Sequence, residues 1–455
     1  MKSIFVLPLF FLLLFVVGSC SDDDFIELDT AFDGAIEWST VFGGSNEDVA
    51  RKVIATNDGG LAIFGFTSSI DGDIVGKTLQ ERDYLLIKTD ALGNVEWTKT
   101  YGGSGDDRGR DIIQTEDGGF AIVGYSMSAD GDGSNNEGFH DNWILKLTST
   151  GAIEWERSFG FSGHDHAYGL VQMDDGGYAM GGFLDVTASG GEGATPLING
   201  NTPDIQHNGG LHGVGEYWVH RLAADGSLMW RKFFGGTNND RIHSILKAND
   251  GGLVLIGFTE SDDFDITSTN GEYEFWVIKV DGAGNMLWQK TFGGSAIDIS
   301  YAAANGPNNT YVIAGSTQST DKDVSSNAGV TDAWVIKIDD SGTLLWEASF
   351  GGSQFDVAHG ITPAEGGGYW IAGNSRSADG HLTTNQGEND FLVYKLSENG
   401  SLEHQLTLGG SGLDFAYDIL ETTPNNLVVV GSSESDDKDL ATNKGGADIW
   451  MVGIH

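Results

Sequence analysis

The chain has 455 residues, of which 68 are glycine and 6 proline, and its 66 acidic residues face 24 basic ones for a formal charge of −42. That length calls for several domains or one large repetitive architecture, and glycine at about twice its average of roughly 7% calls for many turns. A surface this negative, with no local basic patch, excludes nucleic acid as a partner, while 39% hydrophobic residues including 12 Trp, 12 Tyr and 24 Phe argue against disorder.

The chain opens with Met1-Lys2-Ser3 and a mostly apolar stretch from Ile4 to Val17, broken only by Pro8. This stretch is short for a membrane span and has the length of a signal-peptide core. Gly18 and Ser19 then precede Cys20, the single cysteine, which can form no internal disulfide. The run Val17-Gly18-Ser19-Cys20 resembles a bacterial lipobox, which implies cleavage before Cys20 and lipidation there; a free thiol in an ordinary signal peptide is the other reading. The following Ser21-Asp22-Asp23-Asp24-Phe25 is similar to the acidic export signal of Bacteroidetes surface lipoproteins, and also reads as a plain solvated tether. The expectation is a signal peptide over 1–19, an acidic tether over 20–32, and an outer-membrane lipid anchor that displays the rest on the cell surface.

From residue 33 onward one unit repeats. A Gly-Gly-Ser or near match begins at Gly43, Gly102, Gly160, Gly235, Gly293, Gly351 and Gly409, a period of about 58 residues with about 17 added in the third copy. Within the first copy, alternation and turn signals predict strand a at about 49–56, strand b at 61–67, strand c at 83–89 and strand d at 95–101. A strand d already occurs at 35–42, before any strand a, and the chain stops on a strand c at Asp448 to Val452. The fold class is therefore all-β: a seven-bladed β-propeller of four-stranded antiparallel blades spanning 33–455, closed by the N-terminal strand completing the last blade.

The unit Asp332-Ala333-Trp334-Val335-Ile336-Lys337-Ile338-Asp339, followed by Gly342, Trp346 and Phe350-Gly351-Gly352-Ser353, resembles the seven-bladed propeller repeat of bacterial secreted and surface proteins. The resemblance implies the fold and leaves the function open, because propellers host binding, scaffolding and catalysis alike.

Recurrent residues read first as structure. Trp143, Trp218, Trp276, Trp334 and Trp450 recur in strand c and six more Trp recur in strand d, as packing wedges would; Trp370 lies outside this register and is a candidate contact residue. An aspartate stands five residues after the first glycine of every copy: Asp48, Asp107, Asp165, Asp240, Asp298, Asp356 and Asp414. It reads as a turn cap or as a ring of carboxylates for a cation. The small residue two positions later places strand a innermost.

A second acidic pattern lies in the b–c loops: Asp71 and Asp73, Asp130 and Asp132, Asp263 and Asp265, Asp321 and Asp323, Asp437 and Asp439, with Asp379-Gly380-His381 a degraded copy. Alternating acids on a tight loop can gather oxygen ligands for Ca2+, the one cofactor suggested, or can simply build Asp turns.

Departures from the repeat carry the functional signal. Three residues after the recurrent aspartate stand Arg51, Arg110, Tyr168, His243, Tyr301, His359 and Tyr417, side chains that can hydrogen-bond and that would cluster at one mouth of the axial tunnel. The third copy carries His164-Asp165-His166, an insertion over 190–208, His212 and His220, a candidate metal or acid-base group. The leading expectation is a monomeric, non-catalytic binding or interaction module for a glycan, peptide or protein, with no catalytic residue assigned. A surface hydrolase or lyase with its site near the third blade is the alternative, and a passive spacer is a third reading.

Overall fold

The structure, a computed structural model, describes residues 32–186 and 215–455. Residues 1–31, with Cys20, and 187–214, with the 190–208 insertion and His212, lie outside the described residues.

In the first blade, strands a (Asp48–Ala55), b (Leu61–Thr67), c (Asp83–Thr89) and d (Val95–Tyr101) form one antiparallel sheet in the order a-b-c-d. The a–b turn closes tightly because Gly59 takes φ 85°, a conformation side chains rarely adopt. Blades two to six repeat this order. The seventh has strands a (Asp414–Thr423), b (Asn426–Ser433) and c (Asp448–Ile454), and takes its d strand, Ile36–Phe42, from the start of the described chain. Val41 lies opposite Trp450, and the amides of Asp33, Gly34 and Ala35 donate to the His455 carbonyl at 3.2, 2.7 and 3.1 Å. Sequence-distant ends thus share one sheet, and no strand c is left as a bare edge.

Strand a is innermost and packs against strand a of the next blade. Crowding at the axis explains the small residues there, of which Ala50, Ala167, Ser300, Ala358 and Ala416 are fully buried; Ile242 is the larger exception. Between blades the strand-c tryptophans act as wedges. Trp143, Trp276, Trp334 and Trp450 pack on Tyr84, Tyr217, Phe275 and Phe391 of the preceding blade with ring centroids 4.8, 4.4, 4.6 and 4.5 Å apart. Trp370 corrects the reading that it is a surface contact. It sits on strand b, fully buried, donating its ring N–H to Glu421 Oε1 at 3.1 Å.

The seven recurrent aspartates are caps. Asp48 accepts the Gly44 N–H at 2.8 Å, the Ser69 hydroxyl at 2.8 Å and the Thr67 hydroxyl, joining the d–a loop, the end of strand b and the b–c loop. Blade three departs from this: Leu184 and Val186 stand where the hydroxyls would be, and among the described residues Asp165 accepts backbone N–H groups alone, from Phe161 at 2.7 Å and Asp185 at 3.1 Å. Burial pushes its carboxyl up to about 8.

A second acid begins each strand c, buried in six blades and partly buried at Asp83, and faces the cap of the next blade. A Cβ on Gly43 would meet Asp448 Oδ1 at 2.1 Å and Asp48 Oδ2 at 2.6 Å, so two carboxylates converge on a glycine that must lack a side chain. One oxygen each of Asp83, Asp141, Asp332, Asp390 and Asp448 has no hydrogen-bond partner. Burial pushes all five up to about 6.

Acids whose folded pKa lies above the unfolded value take up protons on folding, so their contribution is fully present below the unfolded pKa and is lost as pH rises through the folded one. For these five acids and Asp165 the window runs from about pH 4 to between 6 and 8. Asp58, held down near 2 by the Thr56 hydroxyl, acts in the opposite sense only below that window. Burial also holds the imidazoles of His140, His243 and His359 near 4, which acts in the opposite sense over part of the same interval, so the acids are tested singly. At constant ionic strength the Tm of Asp448→Asn relative to that of the wild type should rise from pH 5 to pH 8. A relative Tm that does not change across that interval would contradict the buried-acid assignment for Asp448.

Candidate functional site

The inner strand of every blade carries a bulge at the same place. Pairing with strand b skips one residue between Ala50 and Lys52, Gly109 and Asp111, Ala167 and Gly169, Ile242 and Ser244, Ser300 and Ala302, Ala358 and Gly360, and Ala416 and Asp418. The skipped residues are Arg51, Arg110, Tyr168, His243, Tyr301, His359 and Tyr417, the seven singled out in the sequence. A bulged residue leaves the ladder and its side chain is re-aimed, and all seven line one axial cavity of about 120 Å3. The bulge needs a partner glycine on strand b: a Cβ on Gly65 would lie 1.9 Å from the Val49 carbonyl oxygen, and one on Gly124 would lie 2.0 Å from that of Arg108.

Six of the ring's seven junctions are contacts between rings or between a ring and a guanidinium. Arg51 lies 3.9 Å over the Tyr417 ring, Tyr417 is 5.6 Å from His359, His359 4.8 Å from Tyr301, Tyr301 stacks on His243 at 5.3 Å, His243 is 5.5 Å from Tyr168, and Arg110 lies 5.1 Å from Tyr168. The seventh junction sets Arg51 beside Arg110. Burial, and then the charge of Arg110, lowers Arg51 to about 10, so both guanidiniums stay charged at neutral pH. Burial holds His243 and His359 near 4 and raises Tyr168 and Tyr301, so these four are neutral. His243 Nδ1 lies 2.7 Å from the Ser300 carbonyl, to which it donates. The ring's charge is therefore concentrated at its Arg51–Arg110 side, where the Nε of each has no hydrogen-bond partner.

One residue further along the strand lies a mixed layer. Lys52 Nζ pairs with Asp418 Oδ1 at 3.2 Å, and Asp418 also accepts the Val53 N–H at 3.0 Å. Asp111 accepts the Leu170 N–H at 2.8 Å, and burial pushes it up to about 6. Lys52 is thus matched by acids, whereas Arg51 and Arg110 are not.

The loop acids lie away from this cavity. Asp71, Asp130, Asp263, Asp321 and Asp437 accept the N–H of the third residue of each Gly-Gly-Ser segment at 2.7–2.9 Å. Asp73, Asp132, Asp265, Asp323 and Asp439 accept that of its first glycine at 3.0–3.2 Å. In the sixth blade Asp379 keeps the first role at 2.7 Å and His381 the second, with its Nδ1 3.3 Å from the Gly351 nitrogen, so the copy is altered rather than lost.

The histidines of the third blade divide. His220 is fully buried beside Trp218 and Phe159, apart from the others. His164 and His166 meet His140, which the sequence reading missed. Burial lowers His140 to about 4 and His166 well below the usual imidazole range.

No protein-family model matches the sequence, and no curated protein does. Solved structures of similar shape include a protein of unknown function from Bacteroides caccae (10% identity, 76% of this chain and 94% of that one, TM-score 0.39). They also include the Pan2 WD40 domain of Neurospora crassa (9%, 90% and 89%, TM-score 0.46) and BamB of Moraxella catarrhalis (13%, 92% and 99%, TM-score 0.37).

The coupling of bulge and glycine is testable. Gly124→Ala forces the Arg108 carbonyl away and should cost about 1–3 kcal/mol, as overpacking does. It should also displace Arg110 from the ring in a crystal structure. An unchanged denaturation midpoint with Arg110 in place would show that the bulge does not depend on the glycine.

Proposed function

We propose that the protein is a non-catalytic binding module, held at the outer membrane through a lipidated Cys20 and displayed on the cell surface, whose axial ring takes an anionic group of an extracellular glycan or peptide. The observation that carries this reading is the Arg51–Arg110 junction: two adjacent guanidiniums without carboxylate partners, facing a cavity, in a chain with 66 acids and 24 bases. Guanidiniums match carboxylate, sulfate and phosphate groups by paired N–H donors. A cavity of about 120 Å3 is well below the roughly 300–1,000 Å3 of pockets that enclose whole ligands. It suits one charged group, with the remainder of the ligand on the loops around the mouth. The neutral phenol and imidazole rings of the other five residues line the same cavity, and away from bulk water each charge-assisted bond is stronger. The alternative of a surface hydrolase or lyase near the third blade draws on the cluster of His140, His164 and His166.

Binding to an array of neutral and acidic glycans should be confined to carboxylated or sulfated members. Arg51→Ala and Arg110→Ala should each weaken it by about ten- to a hundredfold, the loss of one charge-assisted contact. Equal binding of neutral and acidic members, or unchanged binding by both variants, would remove the ring from the function. For the anchor, globomycin should accumulate the unprocessed precursor and Cys20→Ala should release the protein. Protection from protease in intact cells would count against surface display.

A further inference from the structure

We propose that His140, His164 and His166 form a binding site for one transition-metal cation of the Zn2+ class, at the junction of blades two and three. The site arises where three columns of the repeat coincide. His140 precedes the first residue of strand c in blade two, and His164 and His166 flank Asp165 at the start of strand a in blade three. A parallel bridge joins the backbones of His140 and His164, and the same bridge recurs at other junctions, as between Thr331 and Phe355. Alternation along the strand puts His164 and His166 on one face and sends Asp165 to the other, where it caps.

Elsewhere these columns carry different chemistry. At the first junction Asp106 pairs with Arg108 at 2.6 Å and Arg82 at 3.7 Å. At the fifth the residues are Thr331, Phe355 and Val357. Nothing in the blade architecture requires imidazoles here.

The geometry is that of a ligand set. His140 Nδ1 lies 3.0 Å from His164 Nδ1 and 3.1 Å from His166 Nε2, and one ring nitrogen from each of the three falls within 4.8 Å of the others. A tetrahedral ion with bonds of about 2.0–2.1 Å holds its nitrogens about 3.3 Å apart, so the set accepts such an ion with small side-chain adjustments. The rings are held in place: His166 stacks on Tyr125 at 3.8 Å and His164 on Phe139 at 5.0 Å. The Nδ1 of His166 lies 3.1 Å from the Tyr168 hydroxyl, the outer partner that fixes which nitrogen of a ligating imidazole faces the metal. Asp106 faces His140 and favours a cation, while Arg108 opposes it; Arg110 and Arg241 face His166.

Three imidazoles without a carboxylate select a borderline cation over Ca2+ or Mg2+, which take oxygen ligands. Three protein ligands also leave a fourth position for water or a ligand oxygen. This site touches the axial ring through Tyr168. Its case stands independently of the anionic-ligand reading.

The test uses the full chain in detergent, without a polyhistidine tag and stripped of metal. Titration with Co2+ should give a visible tetrahedral d–d band saturating at about one equivalent and displaced by Zn2+. The band should be lost in His140→Ala, His164→Ala and His166→Gln and kept in His404→Ala, with thermal unfolding confirming that each variant folds. Absence of the band and of zinc retention after dialysis of wild-type protein would overturn the proposal whatever the variants do, and so would wild-type affinity in the folded His140 and His164 variants. Acidic-glycan binding by the metal-free protein separates this outcome from that of the Arg51–Arg110 site.

Discussion

The carboxylate at the head of each inner strand is the contact on which the architecture depends. In six blades it gathers a loop amide and two hydroxyls from three separate segments, all within a site closed to water. Charge-assisted bonds of this kind are strong where solvent is excluded, so the entry of strand a is fixed in direction and register. Three residues later comes the bulge, and its position follows from that fixed start and from the strand-b glycine beneath it. A ring of seven re-aimed side chains at the axis is the consequence. The identity of those side chains is left open, because the bulged residue joins no ladder and fills no interblade core.

Charge is arranged along the axis as well as in total. At the end bearing the a–b and c–d turns, the amines of strand-c lysines are matched by carboxylates: Lys88 by Asp58 and Glu96, Lys146 by Asp117 and Glu154, Lys279 by Asp250 and Asp340. At the other end buried acids face each other in pairs across every glycine-rich loop. Arg51 and Arg110 lie between these zones without acid partners. In a chain carrying −42, these two guanidiniums face the axial cavity beside a layer in which Lys52 meets Asp111 and Asp418.

The fold was legible because its constraints act within one repeat. Alternation and the Gly-Gly-Ser spacing placed strands b, c and d of the first blade to the residue, and the misplaced terminal strands announced the closure. The ring was legible for a different reason: one column carries a hydrogen-bonding side chain in all seven copies while its chemistry changes from copy to copy. Trp370 was misread because it was off the tryptophan register, yet every strand b is buried on both faces, so any residue there belongs to the core. His140 was missed because it lies 24 residues from His164 and meets it only through a bridge between blades. Comparing the residue before strand c across all copies would have exposed it. The loop acids satisfy a metal pattern and a backbone-capping pattern equally well on paper, and only the geometry shows the N–H groups they accept.

A repeat also determines where new chemistry can enter. Positions within strands b and c touch two blades each, and a substitution there disturbs a core. The bulge residue and the residues flanking the capping aspartate touch the axis or a loop instead, so they can change one blade at a time. Two asymmetric features among the described residues lie at or beside those positions: adjacent arginines at the bulges of blades one and two, and His164 and His166 flanking the cap of blade three, with His140 of blade two across the junction. Blade three in addition has Leu184 and Val186 in place of the hydroxyl partners of its cap, so that among the described residues Asp165 has backbone donors alone, and its carboxyl is raised to about 8. The standard cap is thus relaxed in the same blade where the flanking residues have become a ligand set, as expected if that junction has been drawn away from the structural role it keeps elsewhere.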